Sequence, residues 1–144
     1  MPDPHAIDRA WLTLLRARVY NVATVHAALP HCADVCSLTR HSVATLRALG
    51  FDAASAVAIA HPPEALIQQD LHWLATTGAR LLPVTDAAYP AQLAALPDAP
   101  LALFVRGDVG LLGSPQIAVV GSRHPTAAGR CSPRRSHTNC ARPA

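Results

Sequence analysis

The residues of this chain best suited to chemistry lie in one stretch near its end, residues 117–130, reading IAVVGSRHPTAAGR. An apolar run delivers the backbone to Gly121, which lets the chain turn sharply and approach a ligand without a Cβ in the way. Ser122 adds a hydroxyl, and Arg123 adds a planar fork of donors that matches a phosphate. Pro125 and Thr126 suit the first turn of a helix, whose free N–H groups would face the same anion. Gly129 would let that helix pack closely on the strand. The chemistry is that of a phosphate cradle at the carboxyl edge of a sheet. The same residues also suit a plain strand-to-helix turn with an exposed arginine, since such turns recur on many folds.

A cradle of this kind needs a sheet to hold it. From residue 79 the pattern supplies one: RLLPVTD reads as a short strand, DAAYPAQLAAL as a helix capped by Asp86, LALFVRG as a strand ending at Gly107, and QIAVVGSR as a buried strand running into the turn. Strand, helix, strand, loop and strand open an α/β sheet. Before residue 79 the period is helical. Trp11, Leu12, Leu14 and Leu15 mark a first helix from Ile7, and Asn21 caps a second that ends before Pro30. Ser42 caps a third, with Val43, Leu46 and Leu49 inward and Gly50 as its stop. Asp52 caps a fourth, which ends at Pro62 and Pro63. Pro63 sits in the first turn of a fifth, with Leu66, Leu71, Trp73 and Leu74 as its apolar face and Gly78 as its end. Five short helices with brief turns form a small domain of the helix-hairpin type.

Composition narrows the function classes. Hydrophobic residues make up 51% of the 144, but aromatic residues only 4%, so the core relies on small side chains. No run is long and apolar enough for a membrane span, and the N-terminus carries acids where a secretory signal has a basic flank. The expectation is a soluble cytoplasmic protein without a membrane partner. All twelve basic residues are arginine, and Arg130, Arg134, Arg135 and Arg142 lie at the end; the remaining eight face nine acids. The net charge of +3 therefore belongs to the tail and does not mark the body as a polyanion binder. Cys32, Cys36, Cys131 and Cys140 lack the two-residue spacing of zinc ligands, so Cys32 and Cys36 are read as small apolar helix residues, although His31 and His41 are near. No metal, cofactor or catalytic residue is expected.

Three pieces occur in a fixed order: Tyr89, Pro90 and Leu93 as YP-x-x-L; an apolar strand ending at Gly107; and Gly121, Ser122, Arg123, Thr126 and Gly129 as GSR-x-x-T-x-x-G. Together they resemble the DprA/Smf family of DNA-processing proteins over residues 80–130. The resemblance implies an α/β chain: a small N-terminal helical domain, SAM-like or helix-hairpin-like, over residues 1–78, then an incomplete Rossmann-like parallel sheet over 79–130. It implies binding of single-stranded DNA in natural transformation and loading of the recombinase RecA, without catalysis, and places Gly121, Ser122, Arg123 and Thr126 at the DNA phosphate. The family's homodimer and RecA surfaces lie in later parts of its fold. Two departures stand out. The family's glycine-rich hairpin after the first helix is replaced here by Arg18, Val19, Tyr20 and Asn21, and an aromatic before the last glycine is replaced by Ala128. DNA binding by the helical domain is accordingly not expected.

Residues 131–144, CSPRRSHTNCARPA, carry no apolar period where such a sheet needs a covering helix. Read one frame over, with TCN codons for Ser132 and Ser136, the junctions at 131/132, 135/136 and 139/140 become apolar. They are four apart, on one helix face. The tail is therefore expected to be disordered and out of frame. Two other readings remain: an enzyme of a related Rossmann-like family, with the GSR turn holding a nucleotide phosphate, and a remnant without activity.

Overall fold

The computed structural model describes residues 4–115, and the chain through Gly113 forms one compact unit. Six helices precede the strands: α1 (Pro4–Arg16), α2 (Val22–Ala28), α3 (Val35–Leu38), α4 (Val43–Ala48), α5 (Ala53–Ala60) and α6 (Glu64–Thr77). They are followed by β1 (Arg80–Pro83), the short α7 (Ala91–Ala94) and β2 (Ala102–Val105). No helix among the described residues is long and apolar enough to cross a membrane.

The helix starts follow the capping residues in the sequence. The Asn21 side chain accepts from the amides of Ala23 and Thr24, Ser42 from Thr45, and Asp52 from Ser55. Each satisfies amides that the first turn leaves without a partner. Asp34 adds a start the periodicity did not show. Its carboxylate accepts from the Ser37 amide at 2.6 Å while the Ser37 hydroxyl accepts from the Asp34 amide at 3.0 Å, a capping box that makes α3 a sixth helix.

Two helix ends share one geometry. After α4 the amide of Gly50 donates to Arg47 O and that of Phe51 to Leu46 O, with Gly50 at φ +98°. After α1 the amide of Arg18 donates to Leu15 O and that of Val19 to Leu14 O, with Arg18 at φ +55°. Both are Schellman closures, in which a left-handed residue turns the last carbonyls back onto the chain. Glycine supplies that conformation at Gly50. Arg18 is the one non-glycine residue with positive φ among those described.

The core gathers Leu12 and Leu14 of α1, Val25 of α2, Leu38 of α3, Leu46 of α4, Ile59 of α5, Ile67 of α6 and Leu82 of β1, all fully buried. The apolar face expected for α6 is shifted. Ile67 and Leu74 are buried and Leu71 is half-buried, while Leu66 and Trp73 are 40% and 44% exposed. Positions 67, 71 and 74 form the i, i+4, i+7 stripe, and 66 and 73 lie on its flank. Two ion pairs fasten α1 to α6: Arg9 to Glu64, and Arg16 to Asp70 through two hydrogen bonds of 2.8 and 2.5 Å.

β1 and β2 pair antiparallel, with Leu81 opposite Phe104 and Leu82 opposite Leu103. Phe104 meets Trp73 of α6 edge to face, ring centroids 5.9 Å apart. This antiparallel pair stands where a parallel sheet was expected over 79–130; the strand expected at 117–120 lies outside the described residues, as do Cys131, Cys140 and the tail at 131–144. Cys36 is buried, and Cys32 is half-buried with its Sγ 3.5 Å from Nε2 of His41.

The caps set an acid dependence. Hydrogen bonds from Ser55 hold the Asp52 carboxyl below the ordinary aspartate range, and the hydrogen bond from Arg9 does the same for Glu64. A carboxyl with a lowered folded value adds stability above its unfolded value, and that stability is lost as pH falls through the folded one. Asp52→Asn keeps a capping oxygen and removes the titration. Melting of the two proteins followed from neutral pH into acid should show a shallower loss for Asp52→Asn, and parallel curves would count against the assignment.

Candidate nucleic-acid interface

The four residues that the sequence assigns to a phosphate, Gly121, Ser122, Arg123 and Thr126, lie outside the described residues, as do Ala128 and Gly129. The structure describes the scaffold that leads towards them. β1 starts at Arg80, whose guanidinium donates to Asp86 Oδ2 at 2.9 Å. Arg80 also acts on Asp8 of α1, where burial pushes the carboxyl above its ordinary range while His5 and Arg80 oppose that shift.

The segment after β1 differs from the helix expected at Asp86. The Asp86 carboxylate accepts from the Ala88 amide at 2.9 Å, and its carbonyl from the Tyr89 amide at 2.9 Å. Asp86 thus closes a turn on its own backbone, the local alternative to helix that aspartate offers. The helix begins only after Pro90, which stands at the N-cap of α7.

In this setting YP-x-x-L is structural. Tyr89 is buried, and its hydroxyl donates to the carbonyl of Pro100 at 2.7 Å. That bond ties the turn after β1 to the residues leading into β2, alongside the bond from the Val84 amide to Leu101 O at 2.8 Å. Burial raises the Tyr89 phenol above its ordinary range, so it remains a donor at neutral pH. Pro90 ends the turn, and half-buried Leu93 packs on the core. Tyr89→Phe should cost about 1 kcal/mol, the usual net value of one such bond. A denaturant midpoint equal to that of the parent chain would show the bond to be idle.

After β2 the chain turns at Gly107, φ +110°, with an exposed Arg106 before it. The Asp108 carboxylate accepts from the Gly110 amide at 2.8 Å and starts a 3-10 turn, Val109–Gly113. The described residues end two positions later. Sequence reasoning missed the Tyr89–Pro100 tie and the α1–α6 ion pairs, because partners 11, 54 and 55 positions apart leave no local period.

Strand, Tyr-Pro turn, short helix, strand and glycine turn follow one another from residue 80 onward. Residues 80–142 match the family described as DNA recombination-mediator protein A. Over this part the chain is similar to the DprA/Smf family. It is 46% identical over 61 residues to Protein Smf of Escherichia coli (strain K12), covering 42% of this chain and 16% of that protein. It is 39% identical over 54 residues to DNA processing protein DprA of Bacillus subtilis (strain 168), covering 37% and 18%. The chain thus matches less than a fifth of the length of these relatives. No solved structure matches it.

Proposed function

We propose that this chain is a DprA-like, single-stranded-DNA-binding protein that acts without catalysis in natural transformation and in loading RecA. In this reading it works in the cytoplasm, and the strand at 117–120 continues the sheet in Rossmann-like fashion behind a SAM-like or helix-hairpin-like helical part. The observation that carries the reading is the match over residues 80–142, which includes Gly121, Ser122, Arg123 and Thr126. A glycine turn with a hydroxyl and a guanidinium meets a backbone phosphate and no base edge, so binding should be indifferent to sequence.

The experiment measures affinity of the full chain for single-stranded DNA against salt, beside Arg123→Ala. Loss of one charge-assisted contact at a solvated site should weaken binding about tenfold. The slope of log affinity against log salt should shrink by about 0.7. Arg130, Arg134, Arg135 and Arg142 attract any polyanion, so both proteins carry them unchanged. Equal affinity and equal slope would remove Arg123 from the phosphate, and absence of binding by the parent chain would overturn the function.

A further inference from the structure

Two aromatic side chains meet at the surface in a chain that has few of them. Trp73 of α6 and Phe104 of β2 lie edge to face, ring centroids 5.9 Å apart at 75°, and are 44% and 47% exposed. The exposed area is bounded. On α6 the neighbours of Trp73 one turn either way are Gln69, Asp70, Thr76 and Thr77, all polar. Asp70 is taken up by Arg16, and the hydroxyls of Thr76 and Thr77 by carbonyls of their own helix. On the sheet, Ala102 two residues before Phe104 is buried, and so is Leu81 opposite it. Arg106 lies two residues past Phe104, the spacing at which residues of an extended chain share a face. It is exposed, and its side chain makes no ion pair or hydrogen bond among the described residues.

A patch of two rings is too small for a protein partner, whose interface takes about 800 Å² from each side. It matches a flat aromatic body, and a cation at its edge suits a body that carries negative charge. A single strand of nucleic acid offers both, since its unpaired bases stack on aromatic side chains whatever their identity and its phosphates lie between them. We propose that Trp73 and Phe104 form a stacking platform for a base of single-stranded DNA, with Arg106 beside the adjoining phosphate. The platform rests on the function proposed above and adds a base contact to the phosphate contact of the GSR turn. Trp73 precedes the segment matched at residues 80–142, so the helical part, where the sequence pointed to no DNA contact, supplies half of the platform.

The test titrates the full chain with labelled oligothymidylate and with a strand of the same length that carries abasic sugars, following label anisotropy and tryptophan emission. Trp11 is buried and Trp73 half-exposed, so a stacked base should quench the emission of Trp73. The base-bearing strand should bind about tenfold more tightly than the abasic one, the gain from one stacked base. Trp73→Ala and Phe104→Ala should each lower that preference severalfold, while Trp73→Phe, which keeps a ring, should retain it. Leu66→Ala, exposed on the same helix away from the rings, should leave it intact. Arg106→Ala should weaken both strands alike and reduce the salt slope by about 0.7. The preference compares two strands on one protein, so it reports on the platform even where a variant is less stable, and a cooperative melt shows that the variant is folded. A preference unchanged in Trp73→Ala, or no preference in the parent chain, would overturn the platform and leave the proposed function standing. A dimer in sedimentation that Trp73→Ala dissociates would give the rings to a second copy and overturn it too. If Trp73→Ala loses the preference while Arg123→Ala binds as the parent does, the platform stands and the GSR turn is removed from the phosphate. Absence of binding to either strand would overturn both readings.

Discussion

Leu12→Ala is expected to lower the free energy of unfolding by about 2–5 kcal/mol, the range for removing a fully buried leucine from a packed core. Leu12 is completely inaccessible at the centre of α1, with helices on more than one side of it. Its loss removes apolar area from burial and leaves a cavity in the packed core. Leu66→Ala is the matched control. The same atoms are removed from a side chain that is 40% exposed on the flank of α6, so the cost should stay below about 1 kcal/mol. Denaturant unfolding of both variants gives the comparison. Similar midpoints for the two would mean that α1 does not carry the core in the way described.

The second large effect is expected at the two Schellman closures. Gly50→Ala places a Cβ where the nearest atom, Cγ2 of Thr24, is 3.8 Å away, so there is room. The backbone is the obstacle: φ +98° is a conformation that L residues rarely adopt, and holding alanine there costs about 1–3 kcal/mol. Arg18→Gly runs in the opposite direction. Arg18 already bears the left-handed cost, about 1–2 kcal/mol, and glycine removes it while giving back part of the gain as unfolded-chain entropy. A net stabilisation of about 0.5–1 kcal/mol should remain. Gly113→Ala serves as reference, with open space around the new Cβ and no positive φ. Thermal melts should therefore rank Arg18→Gly above the parent and Gly50→Ala below it. The reverse order would show that the turns, and not the left-handed residues, decide these helix ends.

Those closures also show how much of the fold the sequence discloses. Helix starts were legible at Asn21, Ser42 and Asp52 because a cap acts within three residues of itself. The stops at Gly50 and Gly78 were legible because glycine is the residue that takes positive φ freely. The stop after α1 was hidden, since Arg18 adopts the same conformation without the residue that announces it. α3 was hidden because four residues are too few to display a helical period. The face of α6 was misassigned because leucine and tryptophan at 66 and 73 outweigh isoleucine 67 in a hydropathy pattern, while packing against α1 decides which flank turns inward. Of the candidate site, the residue types of the GSR segment were readable, and their geometry lies beyond residue 115. The role of Tyr89 had to be read from the fold, because its acceptor is a backbone carbonyl 11 positions away and any residue can supply one.

The fastening of α1 to α6 has a consequence for synthesis. Arg16 and Asp70 are 54 positions apart and Arg9 and Glu64 are 55 apart, so α1 is closed by a helix synthesised well after it. A ribosome adding roughly 5–20 residues per second needs several seconds to travel from α1 to the end of α6. Through that interval α1, which carries the buried Trp11, Leu12 and Leu14, lacks one of the helices it packs against. The nascent chain thus carries an incompletely covered α1 for longer than it takes most small helical units to fold.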